Sequence, residues 1–190
     1  MLWLTLGLIL FLGVHATRIV AEDWRSRQLA RLGEKRWKGL YSLVSALGLG
    51  LMVWGYGQAR LTPLPLWAVP KGMNHLAGLL MLGSLVLLAA AYVPRNHLKS
   101  RLAHPMLLAV KVWALAHLLA NNTAADLLLF GSFLLWAVLD FRSARRRPAA
   151  TAPATSTLAG TLATGAIGVT AWAAFVLGLH QWLIGVRPFG

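Results

Sequence analysis

The sequence predicts an all-α, polytopic transmembrane helix bundle of about six spans with both termini outside. Three observations predict it. Apolar runs of about twenty residues, the length at which a helix crosses a bilayer, recur along a 190-residue chain that is 58% hydrophobic. Only 12% of the residues are charged, where a soluble domain carries about 25%. Lysines and arginines collect in alternate loops, the asymmetry that orients membrane proteins. Backbone groups in lipid must be satisfied internally, so the spans are helices or a closed barrel. Continuous Leu/Ala-rich runs without strict alternation select helices.

The first span is expected over residues 2–21. Val14-His15-Ala16 looks like a signal-peptide cleavage site, but the positive charges follow the apolar run instead of preceding it. An uncleaved span with its N-terminus outside is the expectation. The basic connection after it should form a short amphipathic surface helix, with Trp24 and Trp37 at the interface. The second span, residues 39–59, carries Ser42, Ala46 and Gly50 at four-residue spacing, which would let another helix approach closely. Pro63, Pro65 and Pro70 keep the next loop from being helical throughout.

The third span is expected over residues 73–93, followed by a basic loop holding Arg95, His97, Lys99 and Arg101, in which His97 reads as solvated. The fourth is expected over 102–121. The short Asn121-Asn122-Thr123 turn makes the fifth span, 124–141, its antiparallel neighbour. Arg142, Arg145, Arg146 and Arg147 follow, and then an uncharged linker, Pro148 to Thr157. The sixth span, 158–184, has a small-residue seam of Gly160, Thr164 and Gly168. One domain, residues 1–190, accommodates all of this.

The charge pattern sets the topology. The first, third and fifth loops hold 13 of the 18 lysines and arginines, against Arg60, Lys71 and Arg187 on the other side. The odd loops are therefore cytoplasmic. The net charge of +13 belongs to this pattern, and no nucleic-acid-binding module accompanies it. The lipid bilayer is the expected partner. Cysteine is absent, which excludes disulfides, thiolate ligands and cysteine nucleophiles.

The chemistry is concentrated in Arg101 to Asn122. This apolar segment holds His104, Lys111, Trp113 and His117, and ionisable groups at bilayer depth usually face protein or a cofactor. At 100° per residue His104 and Lys111 share a face, whereas His117 lies more than a third of a turn round. The fourth span should therefore sit inside the bundle. Neutral imidazole is the commonest nitrogen ligand for haem and transition metals, and His15, His75, His104, His117 and His180 lie in or at the ends of spans. A packed imidazole bonded to a carbonyl accounts for any single one equally well. His15 and His117 fall about 12 Å apart in level, so depth selects no unique pair. Arg18 either snorkels to the inner headgroups or clamps an anion such as a propionate. Asp126 either orients a histidine such as His117 or His75, or caps the fifth helix; the cap is preferred.

Val14-His15-Ala-Thr-Arg18, Arg101-Leu-Ala-His104-Pro105 and Trp113-Ala-Leu-Ala-His117 stand beside Leu127-Leu-Leu-Phe-Gly-Ser-Phe-Leu-Leu-Trp136 with Asp140 and Leu179-His180-Gln-Trp-Leu-Ile-Gly-Val-Arg-Pro188-Phe189. On these residues the chain resembles the NnrU family of bacterial inner-membrane proteins, associated with denitrification and nitric-oxide metabolism. That family is similar to the zeta-carotene isomerases, which hold a b-type haem. The resemblance implies haem b ligated by His15 and His117, beside which Arg18 is the candidate propionate clamp. It departs at Ala114, where the isomerases have a cysteine, so ligand exchange through that cysteine is not available here. Two alternatives stand beside this reading. One is a cofactor-free accessory or assembly protein for a respiratory or nitrogen-oxide-reducing partner. The other is a membrane enzyme, either an isomerase or one resembling isoprenylcysteine-type methyltransferases. In the methyltransferases Arg, His and Pro are contiguous, whereas two residues part Arg101 from His104-Pro105 here.

Overall fold

The computed structural model describes residues 1–147 and 155–189. They form α1 (Leu2–Val20), α2 (Glu22–Leu32), α3 (Glu34–Ala59), α4 (Met73–Tyr92), α5 (His97–Leu102), α6 (Pro105–Ala120) and α7 (Ala124–Arg145). Next come α8 (Leu158–Ala174), a π-helical turn (Phe175–Leu179) and α9 (His180–Ile184), which continue one another as a single 27-residue span. Among the described residues β pairing is confined to one bridge between Pro65 and Thr123. Among the described residues five helical stretches are long and apolar enough to cross a membrane, and α6 is a shorter apolar helix. The chain is an all-α, multi-pass membrane protein.

Local chemistry explains where the helices depart from expectation. The fourth begins at Pro105 instead of residue 102 because Ala103 takes a positive φ of 60° and proline disfavours helical backbone just before it. The loop ahead of it contains a helix, α5, which the sequence did not suggest. Asn96, 1% exposed, caps it by accepting from the Lys99 N–H and also donates to the carbonyls of Ala90 and Val93. The basic connection after α1 is helical with no buried residue. It breaks at Gly33, φ 77°, so Trp37 falls in the first turn of α3, its ring edge-on to Trp24. Most of the linker expected over Pro148 to Thr157 lies outside the described residues.

Contacts divide the chain into two compact units, Met1–Trp67 with Asn122–Asp140 and Ala68–Asn121 with Phe141–Gly190. In the first unit α1 packs on α3 at backbone distance. A side chain at Gly55 would strike the Leu4 backbone, and one at Gly48 the Phe11 backbone. The expected seam of Ser42, Ala46 and Gly50 is thus corrected. Those residues are exposed, and the close face, with Gly48, Met52 and Gly55, lies almost opposite. Leu4, Leu8, Met52 and Ala125 form the buried core there. The proline-rich loop is extended, and it is tied to the start of α7 by bonds from Leu66 N to Asn122 O and from Ala124 N to Leu64 O.

In the second unit α4 packs against α6 and α8. Ser84 donates to the Ala109 carbonyl and the Trp172 indole to the Gly78 carbonyl, both across 2.8 Å. The seam expected on α8 holds. Gly160 abuts the carbonyls of Pro94 and Arg95, Thr164 is fully buried, and Gly168 abuts Val86. Helix α6 carries buried residues on two opposite sides, Leu107 with Ala114 and Ala109 with Ala116, as an interior helix should.

Candidate functional site

His15 lies near the C-terminal end of α1, in the first unit. Its Nδ1 is 2.6 Å from the Phe11 carbonyl, one turn earlier on the same helix. A carbonyl can only accept, so Nδ1 carries the proton and the neutral ring keeps its lone pair on Nε2. Three aromatic side chains frame the ring. Phe11 stacks on it at 4.2 Å between centroids, Tyr41 is tilted at 5.1 Å, and Trp136 stands at right angles at 5.9 Å.

Two polar atoms of this unit are buried with no hydrogen-bond partner, Trp136 Nε1 and Ser45 Oγ. Ser45 sits one turn from Tyr41 and three residues from Gly48, which abuts Phe11, so it is on the α1-facing side of α3. Leaving such a group unsatisfied costs about 1–3 kcal/mol. A hydrogen-bond acceptor placed beside either group would remove that cost.

His117, in the second unit, repeats the local arrangement near the end of α6. Its Nδ1 is 2.8 Å from the Trp113 carbonyl, again one turn back, which places the proton on Nδ1. The Trp113 ring lies 5.3 Å away. Asn121 closes the helix by donating its side-chain and backbone N–H groups to the His117 carbonyl.

Arg18 follows His15 by one turn. Its side chain is 56% exposed, and Nε lies 3.9 Å from a Glu22 carboxylate oxygen. Asp126 caps α7: it accepts from Thr123 N–H at 2.9 Å and from the Thr123 hydroxyl, which in turn accepts from Asp126 N–H. This is a capping box with aspartate in the N3 position. Its other oxygen accepts from the Tyr56 hydroxyl at 2.5 Å, a pairing the sequence did not reveal.

The remaining histidines have separate surroundings. His104 and Lys111 share a face, as the helical spacing requires, and both flank Phe141. His75 bonds the Asn74 side chain and stacks on Phe189, and His180 donates to the Val186 carbonyl. His97, expected to be solvated, is part-buried and bonds Thr161 on α8 through its ring and its backbone N–H. Among the described residues no three His, Asp or Glu side chains converge as metal ligands. The residues whose contacts sequence reasoning missed are aromatic: Tyr41, Tyr56, Trp136 and Phe141. Their apolar bodies read as lipid-facing or core, and only neighbours distant in sequence give them a role.

The family model described as NnrU protein matches residues 3–188 of the chain. No curated protein and no solved structure matches it.

Proposed function

The chain belongs to the NnrU family, and from that premise we propose a bacterial inner-membrane protein of denitrification or nitric-oxide metabolism whose chemical centre is a b-type haem held by His15 and His117. The observation that carries the haem is the shared tautomer. Each of the two imidazoles commits Nδ1–H to a carbonyl of its own helix, which orients the ring, assigns the lone pair to Nε2 and raises its basicity as a ligand. The donor set fits a haem in a second way. The unpartnered Trp136 N–H and Ser45 hydroxyl call for an acceptor beside His15, and propionate oxygens are acceptors. Arg18 is the cation to hold such a propionate. Its loose ion pair with Glu22 is solvent-exposed and costs little to exchange.

When bound, haem would supply one-electron iron chemistry, and iron held by two imidazoles is closed to substrate, which suits electron transfer or sensing. The chain's own part is to orient two rings, keep water from His15 with Phe11, Tyr41 and Trp136, and neutralise a propionate. Absorption spectra of the detergent-purified protein, oxidised and reduced, test this. A Soret band lost in His15→Ala and in His117→Ala is expected, and a colourless protein expressed with ample haem overturns the reading.

A second reading is a cofactor-free accessory protein. It is favoured by the way the Phe11 carbonyl and ring already satisfy His15 as a packed residue. It requires normal folding without haem and co-purification with a respiratory or nitrogen-oxide-reducing partner.

A further inference from the structure

The unit that contains His117 has a one-sided charge. It holds more than half of the chain's 18 lysines and arginines and not one aspartate or glutamate. Within it, Phe141 gathers basic groups. Lys111 Nζ lies 3.7 Å from the ring centroid, the Arg145 guanidinium 5.8 Å, and the His104 ring meets it edge-on at 6.1 Å. Arg142 is close enough for its charge to act on Lys111. The ion pairs seen between Arg18 and Lys38 do not involve Lys111. Asp140, adjacent to Phe141 in sequence, acts electrostatically on Tyr41 in the other unit.

Lys111 sits six residues inside α6, about 9 Å along the axis from Pro105. An ammonium at that depth is costly unless compensated, and a ring face supplies only part of what a counter-anion would. Arginines and a lysine converging on one spot match a phosphate, whose oxygens accept from several donors at once. The cluster lies at the Lys/Arg-rich ends of the spans, where the charge asymmetry puts the anionic cytoplasmic leaflet.

We propose that Lys111 and Arg145, gathered around Phe141, form with Arg142 a binding site for the phosphate of an anionic phospholipid of the cytoplasmic leaflet. The lipid is favoured over free phosphate because Lys111 is set into an apolar helix, where acyl chains can anchor the headgroup. The site is independent of any haem.

Binding of short-chain phosphatidylglycerol, phosphatidylcholine and inorganic phosphate to the full chain in neutral detergent, followed by calorimetry, tests this. Phosphatidylglycerol should bind the wild type, and about fivefold more weakly to Lys111→Gln, the effect of one basic group at an anionic membrane surface. Lys111→Arg should retain binding, which separates lost charge from misfolding, and Lys71→Gln, outside the cluster, should leave it unchanged. Equal affinity of Lys111→Gln and wild type overturns the site. Equal binding of phosphatidylcholine, or inorganic phosphate binding as tightly as the lipid, overturns its assignment to an anionic lipid.

Discussion

The imidazole of His15 lies flat on the ring of Phe11 and donates its Nδ1 proton to the carbonyl of the same residue, 2.6 Å away. One residue thus fixes both the plane and the tautomer of the histidine. Trp113 holds His117 by the same carbonyl bond, with its ring tilted beside the imidazole.

If both rings ligate one haem, each alanine variant should lose it separately. Haem content per chain, measured by the pyridine haemochrome, should fall at least tenfold in His15→Ala and in His117→Ala, the lower end of the loss expected when a ligand contact goes. His180→Ala should keep it, because that ring lies outside the proposed pair and bonds a carbonyl beyond the end of its own helix, that of Val186. Retention in either single ligand variant would refute the pairing.

Trp136→Phe separates the haem-bound from the haem-free protein. Without haem the substitution removes an unsatisfied buried N–H and should leave thermal stability equal or raise it by about 1 kcal/mol. With haem the same change should weaken haem retention. A loss of stability in the haem-free protein would show that the indole has a partner of another kind.

The Tyr56–Asp126–Thr123 network should couple. Tyr56→Phe takes one donor from a carboxylate that is 4% exposed and should cost about 1–3 kcal/mol. Thr123→Ala removes the cap of α7 and should cost about 1 kcal/mol. Because both act through Asp126, the double variant should depart from the sum by at least about 0.5 kcal/mol. Simple additivity in detergent melting curves would argue against the shared carboxylate.

Glycine contacts distinguish the observed helix seam from the expected one. Gly55→Leu and Gly48→Leu should each destabilise by about 1–3 kcal/mol or more, since each drives a side chain into α1 backbone. Gly50→Leu, facing open space, should stay within about 0.5 kcal/mol of wild type. Size-exclusion profiles after heating give the comparison, and equal melting temperatures for Gly50→Leu and Gly55→Leu would reject the seam.

The positions of the spans were legible because they depend on quantities local to the chain: run length, flanking charge and proline. The cap at Asp126 was legible for the same reason, since Thr123 lies three residues away. His15, His117 and Arg18 were candidates on the residues and the family resemblance. The aromatic frame of His15 could not, because Tyr41 and Trp136 come from two other helices.

What the sequence alone determined is an all-α chain with apolar spans, basic loops on one side and histidines within the helices. Lipid is as apolar as a helix interface, so hydrophobicity does not say which face of a span turns inward. Only the tertiary structure decided that α3 meets α1 through Gly48 and Gly55 instead of Gly50. It likewise decided that Tyr56 bonds an acid 70 residues away, and that Lys111 lies over Phe141. Those choices depend on close packing and on satisfying buried polar groups, and both require the partner helix to be in place.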